Sequence, residues 1–346
     1  MSERIWNRAV AAAVCGVMLA SVTMRARAQQ EFFSPADVIK YTPDWKGERF
    51  PDGRPKVPDG ILDRMKNVTL EEAWATLGGA CFNHQYEDGW LTIHSDQVLV
   101  GRALTAVWMP GRPDIQKVIE QDQGKNRQGA ENAWPVDMLQ PRDVYVADHF
   151  GLKVDGPSIG DNVGNAIYAR SGNGIVYDGA VRDINGLDEL KNFTSFVRYY
   201  DPSHHFGSLS SGQRLNSTMV SINGPTRIGH ALVMPGDVVL GRNGGVIFIP
   251  AQLAERVVQQ SERTRLRDIF GHQRLEEKKY TGGQIDARWT PEIEADYRSW
   301  LKENENKLTV PAAEIERILQ EATPGPRPAG APQGAPPAAR LNACGN

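Results

Sequence analysis

Apolar positions along the chain fall into two repeating patterns, one helical and one extended, and the two alternate through the middle of the sequence. In "TLEEAWATLGG" (69–79) the apolar residues recur at helical spacing. Thr69 and Glu72 stand as a capping box, and Gly78-Gly79 close the segment. "VLVGRALTAVW" (98–108) and "RDVYVAD" (142–148) are short and mostly apolar, which predicts strands. In "NVGNAIYARS" the positions Val163, Ala166, Ile167 and Arg170 follow helical spacing, Gly172 and Gly174 stop it, and "GIVYDGAV" predicts another strand. "ALVMPGDVVLGRNGGVIFIP" (231–250) predicts two strands with turn glycines between them. "PRDVYV" (141–146) and "PGDVVL" (235–240) echo each other as Pro-x-Asp turns feeding a strand.

Three helices follow. The first is long and covers 250–271. The second starts at Thr290 as cap with Pro291 in its first turn, and its apolar face carries Ile293, Tyr297, Trp300 and Leu301. The third lies in "TVPAAEIERILQEA". Residues 29–57, rich in Pro, Asp and Gly, predict an irregular extension; the Pro/Ala/Gly tail from 323 predicts disorder, because it has nothing with which to build a core.

The first 28 residues change the picture. A basic start, a short apolar run and "ARA" before Gln29 form the pattern of a cleaved secretory signal, which implies a periplasmic or secreted protein. The expected organisation is a signal at 1–28, an extension at 29–65, a catalytic domain at 66–275, a helical extension at 276–322 and the tail at 323–346. The signal holds four arginines against one glutamate, so its removal takes the formal net charge from −3 to −6. A mildly acidic chain has no general attraction for nucleic acid or for anionic membrane. Of the three cysteines, Cys15 leaves with the signal, and a bridge from Cys81 to Cys344 in the tail is not expected. Cysteine-based metal sites are excluded.

Candidate chemistry centres on "GDNVGNAIYARSGNGIVYDGAVRD" (160–183). A helix and the strand after it lie antiparallel, so the helix start at Gly160-Asp161 and the strand end at Arg182-Asp183 meet at one edge. The N–H groups of Asn162, Val163 and Gly164 would face an anion at the helix start, with Gly160 and Gly164 opening the backbone to it. Arg182 adds a forked cation suited to a carboxylate or enolate. Asp161 and Asp183 bring two hard oxygen ligands to that site, which suits Mg2+ or Mn2+. The bland alternative is a helix cap beside a surface ion pair.

The same segment resembles the RraA-like family, which includes the 4-hydroxy-4-methyl-2-oxoglutarate aldolases. Their signature is Asp, twenty residues, then Arg-Asp, and Asp161, Arg182 and Asp183 match it without a gap. The resemblance spans roughly 66–271 and implies an α/β fold of the swivelling type, with layered β-sheets and flanking helices; the C-terminal helical extension lies outside it. It further implies homotrimers or homohexamers with sites between subunits, and a metal-dependent class II aldolase that releases pyruvate from a keto-acid substrate, with oxaloacetate decarboxylation as a side activity. In that scheme Asp183 holds the metal and Arg182 binds the keto acid and steadies the enolate. Asp161 acts on a coordinated water and the substrate hydroxyl, and the Gly160–Gly164 backbone binds the pyruvyl carboxylate. An acid from a neighbour's C-terminal helix completes the metal site; Asp268 matches best, with Glu262 as the alternative. Two departures stand out. Gly186 replaces an acid that members often carry three residues after the Arg-Asp aspartate, although Asp188 and Glu189 follow. "FVRYYDPSHHFGSL" places Tyr199, Tyr200, His204 and His205 in an expected loop. The family also contains a contact inhibitor of ribonuclease E, so an exported regulator or small-acid binder is the competing reading.

Overall fold

The computed structural model describes residues 32–205 and 215–321, residue 126 excepted. The expected signal (1–28) and tail (323–346) lie outside the described residues.

The N-terminal part holds α1 (Pro35–Tyr41), α2 (Asp59–Met65) and α3 (Leu70–Gly79), followed by the short strands β1 (Tyr86–Glu87) and β2 (Leu91–Ile93). The central part runs β3 (Leu99–Pro110), α4 (Pro113–Asp122), β4 (Asp143–Asp148), α5 (Asp161–Ser171), β5 (Ile175–Val181), α6 (Ile184–Asp188) and β6 (Ser195–Tyr200). Then come β7 (Ser217–Ile222), β8 (Thr226–Ile228), β9 (Ala231–Val233), β10 (Val238–Arg242) and β11 (Gly245–Ile249). The chain closes with α7 (Ala254–Glu276), α8 (Gly282–Asp286), α9 (Pro291–Asn304) and α10 (Ala312–Gln320).

Nine strands form one mixed sheet, eight of them in the order β1-β11-β10-β3-β4-β5-β6-β2 with β7 paired to β3 off this path, and β8 and β9 form a separate hairpin. β3 is long enough to carry β10 along its first half and β7 along its second. The β3–β4, β4–β5 and β5–β6 pairs are parallel. Parallel strands need crossovers, and α4, α5 and α6 lie in them. The two faces of the sheet bury different cores. On one, α4, α5 and α6 cover Leu104, Trp108, Tyr145, Ile175 and Tyr177, while α2, α3 and α7 cover Val100, Leu240 and Ile247. The other face curls onto itself around Val146, Val176, Phe196, Val239 and Phe248, with β8–β9 packed in. Gly241 of β10 shows how tight the curl is: a Cβ there would lie 2.5 Å from the Phe196 ring of β6. Every residue of β5 is buried, as expected of a strand covered on both faces.

The Pro-x-Asp echo is a shared turn. Asp143 N–H donates to Gln140 O (3.0 Å) while its carboxylate accepts from Gln140 N–H (2.8 Å). Asp237 repeats both bonds with Met234, at 3.1 and 2.9 Å. The third turn positions, Arg142 and Gly236, have φ of 67° and 87°, the geometry of a type II turn with proline second.

Several expectations change. Residues 231–250 form three strands rather than two, because the Pro235-Gly236 turn sends β9 into the separate hairpin with β8. Residues 29–57 are not irregular throughout: α1 is started by a Ser34–Asp37 capping box. The extension is also locked into the domain. Arg54 is fully buried and pairs with Asp52 (2.7 Å) and with Asp143 of β4 (2.8 Å). Tyr199 and Tyr200 lie on β6, not in a loop. Cys81 is disulfide-bonded, contrary to expectation, and its partner cysteine lies outside the described residues. The C-terminal helices have their own core, where Leu266 and Phe270 of α7 meet Trp289, Ile293, Tyr297, Trp300 and Ile315. Among the described residues, no helix is long and apolar enough to cross a membrane.

Candidate active site

Backbone pairing brings the end of β5 against the start of α5. Ile159 and Val181 form a parallel bridge, and Arg182 N–H donates to Ile159 O at 3.0 Å. The residues after each bridge partner, Gly160-Asp161 and Arg182-Asp183, therefore lie side by side at the edge where the parallel strands end. Gly160 begins the helix with extended backbone (φ −124°, ψ −166°) and no side-chain cap. At the far end, Gly172 stops it in the left-handed conformation (φ 66°).

Asp183 is itself left-handed, at φ 55° and ψ 44°. Its carbonyl accepts from the N–H groups of Gly186 and Leu187, which start α6. Aspartate visits this region more readily than most residues, but at a cost, and such strain concentrates at functional sites. The conformation carries the Asp183 side chain back over the helix start. A Cβ built on Gly160 would collide with Asp183 Oδ2 and lie 3.2 Å from Arg182 Cγ and Nε. Arg182 Nε is 3.5 Å from Asp183 Oδ2, and Nη1 is 3.5 Å from His204 Nε2.

The first turn of α5 divides differently from the sequence expectation. Gly164 N–H is committed to Gly160 O at 2.8 Å, and a Cβ on Gly164 would collide with Leu187 Cδ2. Gly164 is thus a packing glycine between α5 and α6 and offers no donor to a ligand. Asn162 N–H donates to Asp161 Oδ1 at 2.7 Å, so it too is engaged. Asp161 and Val163 N–H make no hydrogen bond among the described residues, and they are the donors left for an anion.

Gly186 packs against the same group. A Cβ there would be 2.8 Å from Asp161 Cβ, so an acid at 186 would have to displace Asp161. Asp188 turns away and lies 3.9 Å from His94 Nδ1. Glu262 is taken by a two-pronged pair with Arg64 at 2.8 and 2.6 Å, which ties α7 to α2 and removes it as a metal ligand. Asp268 lies in a cleft of about 430 Å³ with Arg267, His272, Asp286 and Trp289, between α7 and α8. Burial pushes its carboxyl up. Within one chain Asp268 does not join Asp183; the expectation places it across a subunit boundary.

Among the described residues, no three His, Cys, Asp or Glu side chains are grouped to hold a metal ion. Two carboxylates, Asp161 and Asp183, do share the edge marked by Gly160 and Gly186. This donor set fits a magnesium-type ion, which takes one or two carboxylates and fills its remaining positions with water and substrate.

Sequence reasoning missed a buried polar chain beneath the site. Ser158 Oγ meets Tyr177 OH (2.5 Å), Tyr177 OH meets His149 Nδ1 (2.8 Å), and His149 Nε2 meets Ser217 Oγ (2.9 Å). Ser217 Oγ then lies 3.3 Å from His205 Nδ1, and the His205 ring packs edge-on to Trp108 at 5.2 Å. Burial holds the His149 imidazole well below its ordinary range and brings His205 to about 4, so both rings are neutral. The tandem histidines gave one signal, but nothing near His149 in the sequence announced its partners.

The fold has solved counterparts. One is a crystal structure of novel cellulases from microbes associated with the gut ecosystem: 18% identity, TM-score 0.50, covering 68% of this chain and 91% of that one. A second is an uncharacterized protein from Pseudomonas syringae pv. tomato: 18% identity, TM-score 0.50, covering 66% and 98%. A third, Streptomyces coelicolor RraAS2, an unusual member of the RNase ES inhibitor RraA protein family, aligns at 21% identity with TM-score 0.47, covering 65% and 97%. At such identity the first two establish the fold alone. The sequence profile of the RraA-like family (Aldolase/RraA) matches residues 69–248, more than half of the chain. This match spans the bridge between β5 and α5 and the Asp161–Arg182–Asp183 edge, and the chain belongs to the RraA-like family.

Proposed function

We propose that the chain is a divalent-metal-dependent aldolase that cleaves a 4-hydroxy-2-keto diacid, of the 4-hydroxy-4-methyl-2-oxoglutarate kind, to pyruvate. The observation that carries this reading is the convergence of Arg182 and Asp183 over Gly160, where a Cβ would meet both, with Asp161 beside them against Gly186.

Each residue has a task that its geometry suits. Val163 and Asp161 N–H, at a helix start, face the pyruvyl carboxylate. The Arg182 guanidinium, a fixed cation with several donors, faces the 2-keto oxygen, where negative charge grows as the bond breaks. A divalent ion held by Asp183 with Asp161 nearby supplies further stabilisation of that charge when bound. The Asp161 carboxylate takes the C4 hydroxyl proton. The C3–C4 bond then breaks, its electron pair entering the enolate of pyruvate while the C4 fragment leaves as a carbonyl compound. Asp161 returns the proton to C3. Oxaloacetate, which loses CO2 to give the same enolate, is a second substrate under this scheme.

The remaining proposals are a homotrimer or homohexamer in which Asp268 of a neighbouring copy approaches the site, and export to the periplasm or medium. Mass spectrometry of the native protein reads the second: a chain starting near Gln29 supports export, and an intact Met1 in the cytosol opposes it. The experiment that tests the activity is a coupled pyruvate-release assay on the magnesium-loaded protein, with hydroxylated keto diacids and oxaloacetate. Release from none of them would favour the competing reading of a regulator or small-acid binder.

A further inference from the structure

Arg182 is held at two points, and only one of them belongs to the family signature. Asp183 Oδ2 lies 3.5 Å from Nε, and His204 Nε2 lies 3.5 Å from Nη1. Arg182 Nη2 makes no contact of this kind among the described residues. We infer that His204 is a positioning residue: it accepts a hydrogen bond from Arg182 Nη1 and so aims the guanidinium at the keto acid. The inference rests on the reading that Arg182 binds the substrate.

Three attachments hold the backbone of residues 201–205 in place. Asp201 N–H donates to Val181 O (3.0 Å), so the segment leaves β6 beside the end of β5, one residue before Arg182. Ser203 Oγ accepts from Asp155 N–H (2.6 Å) and donates to Asp201 Oδ1 (2.5 Å), closing a turn against the 155 loop. His205 is anchored beneath, beside Trp108 and Ser217, at the end of the buried chain that runs through His149, Tyr177 and Ser158. His205 packs against Trp108 while His204 is exposed. With His205 drawn inward, His204 is turned outward, over Arg182. The tandem histidines thus have different jobs: one is an anchor, and the other is held where it meets the cation.

The chemistry fixes the tautomer. Arginine only donates, so the His204 nitrogen that faces it must be unprotonated, and the proton of the neutral ring must sit on Nδ1. An arginine without this second contact has to be ordered each time substrate binds, and small misplacements of a group that stabilises charge are costly, on the order of 100-fold in rate. Gln offers an amide oxygen near the position of Nε2, whereas Ala offers nothing.

The test uses two readouts on the full-length, magnesium-loaded protein. At pH 8, nitrogen-15 NMR assigned by difference against His204→Gln should show His204 with Nε2 unprotonated and Nδ1 carrying the proton. A ring protonated on Nε2 overturns the inference. In turnover, His204→Ala should lower kcat on keto diacids by about 10- to 100-fold, and His204→Gln should recover most of it. The melting temperature should be unchanged, because His204 is exposed. Wild-type turnover in His204→Ala overturns the positioning role. Wild-type protein that releases no pyruvate from any substrate would instead sink the aldolase reading, and the tautomer would still decide whether the contact exists.

Discussion

Asp183 Oδ2 fills the space where a side chain on residue 160 would begin. The two residues are separated by a helix and a strand, yet the carboxylate of one closes over the backbone of the other. This contact exists because Asp183 adopts a left-handed backbone and because residue 160 has no Cβ.

Gly160→Ala tests that contact. Its backbone, at φ −124° and ψ −166°, is open to alanine, so the substitution acts by steric collision alone. The added methyl should push Asp183 and Arg182 off their positions. Turnover should drop by about 100-fold with little change in the melting temperature. Wild-type kcat in Gly160→Ala would mean that the Asp183 position is not needed.

Arg54 offers a prediction about stability. Its guanidinium is fully buried between Asp52 and Asp143. Arg54→Met leaves the buried Asp143 with only the more distant Arg102 Nε, at 3.7 Å, and should cost up to about 3–5 kcal/mol in urea unfolding. Adding Asp143→Asn, which keeps the turn bond to Gln140, should restore much of the loss. A cost under about 1 kcal/mol for Arg54→Met, the range of a surface pair, would show that the N-terminal extension is not locked in this way.

Glu131 makes stability depend on pH. Burial pushes its carboxyl up to about 7, against hydrogen bonds from Met219 N–H and the Gln116 amide. The folded state therefore binds a proton that the unfolded state has already lost. This contribution is present below about pH 4.5 and is lost as pH rises to about 7. Buried Asp237, raised to about 7, acts in the same direction. His149 and His205, lowered by burial, act in the opposite one: their contribution is full above about 6.5 and is lost as pH falls, toward about 4 for His205. The net slope is thus a poor readout, and the difference between proteins is the better one. Unfolding free energies of wild type and Glu131→Gln should converge as pH falls from 7 to 4.5 and differ by roughly 3 kcal/mol above 7, in favour of the amide. Parallel curves would contradict a buried, neutral Glu131.

The site was legible where local geometry controls it. A helix followed by a strand must bring Asp161 to Arg182-Asp183, so spacing alone was enough to place them. Helix starts are equally legible: the Thr69–Glu72 box, written in four residues, forms with bonds of 3.1 and 2.8 Å. Gly160 and Gly164 look alike in sequence, and only the packing of Leu187 and Asp183 separates a site glycine from a helix-contact glycine. The extension looked irregular because the groups that order it, Asp143 for Arg54 and the sheet for Val57 and Leu62, come from far along the chain. His149, Tyr177 and Ser217 were silent for the same reason, each being ordinary alone and meaningful only once β4, β5 and β7 are assembled. The ligand expected from Asp268 depends on a second copy, and no local pattern can place it.

The central claim is that Asp183 serves a metal-dependent lyase, and Asp183→Asn tests it most directly. Asparagine tolerates the left-handed backbone that residue 183 requires, so the fold should persist while a carboxylate ligand is lost. The measurement is pyruvate release from 4-hydroxy-4-methyl-2-oxoglutarate by wild type and Asp183→Asn, each with magnesium, with a chelator, and with magnesium restored. The account predicts wild-type release that stops with the chelator and returns with magnesium, and release from Asp183→Asn that stays at least about 100-fold below that of magnesium-loaded wild type under every condition. Equal release from the two proteins, unaffected by the chelator, would contradict it.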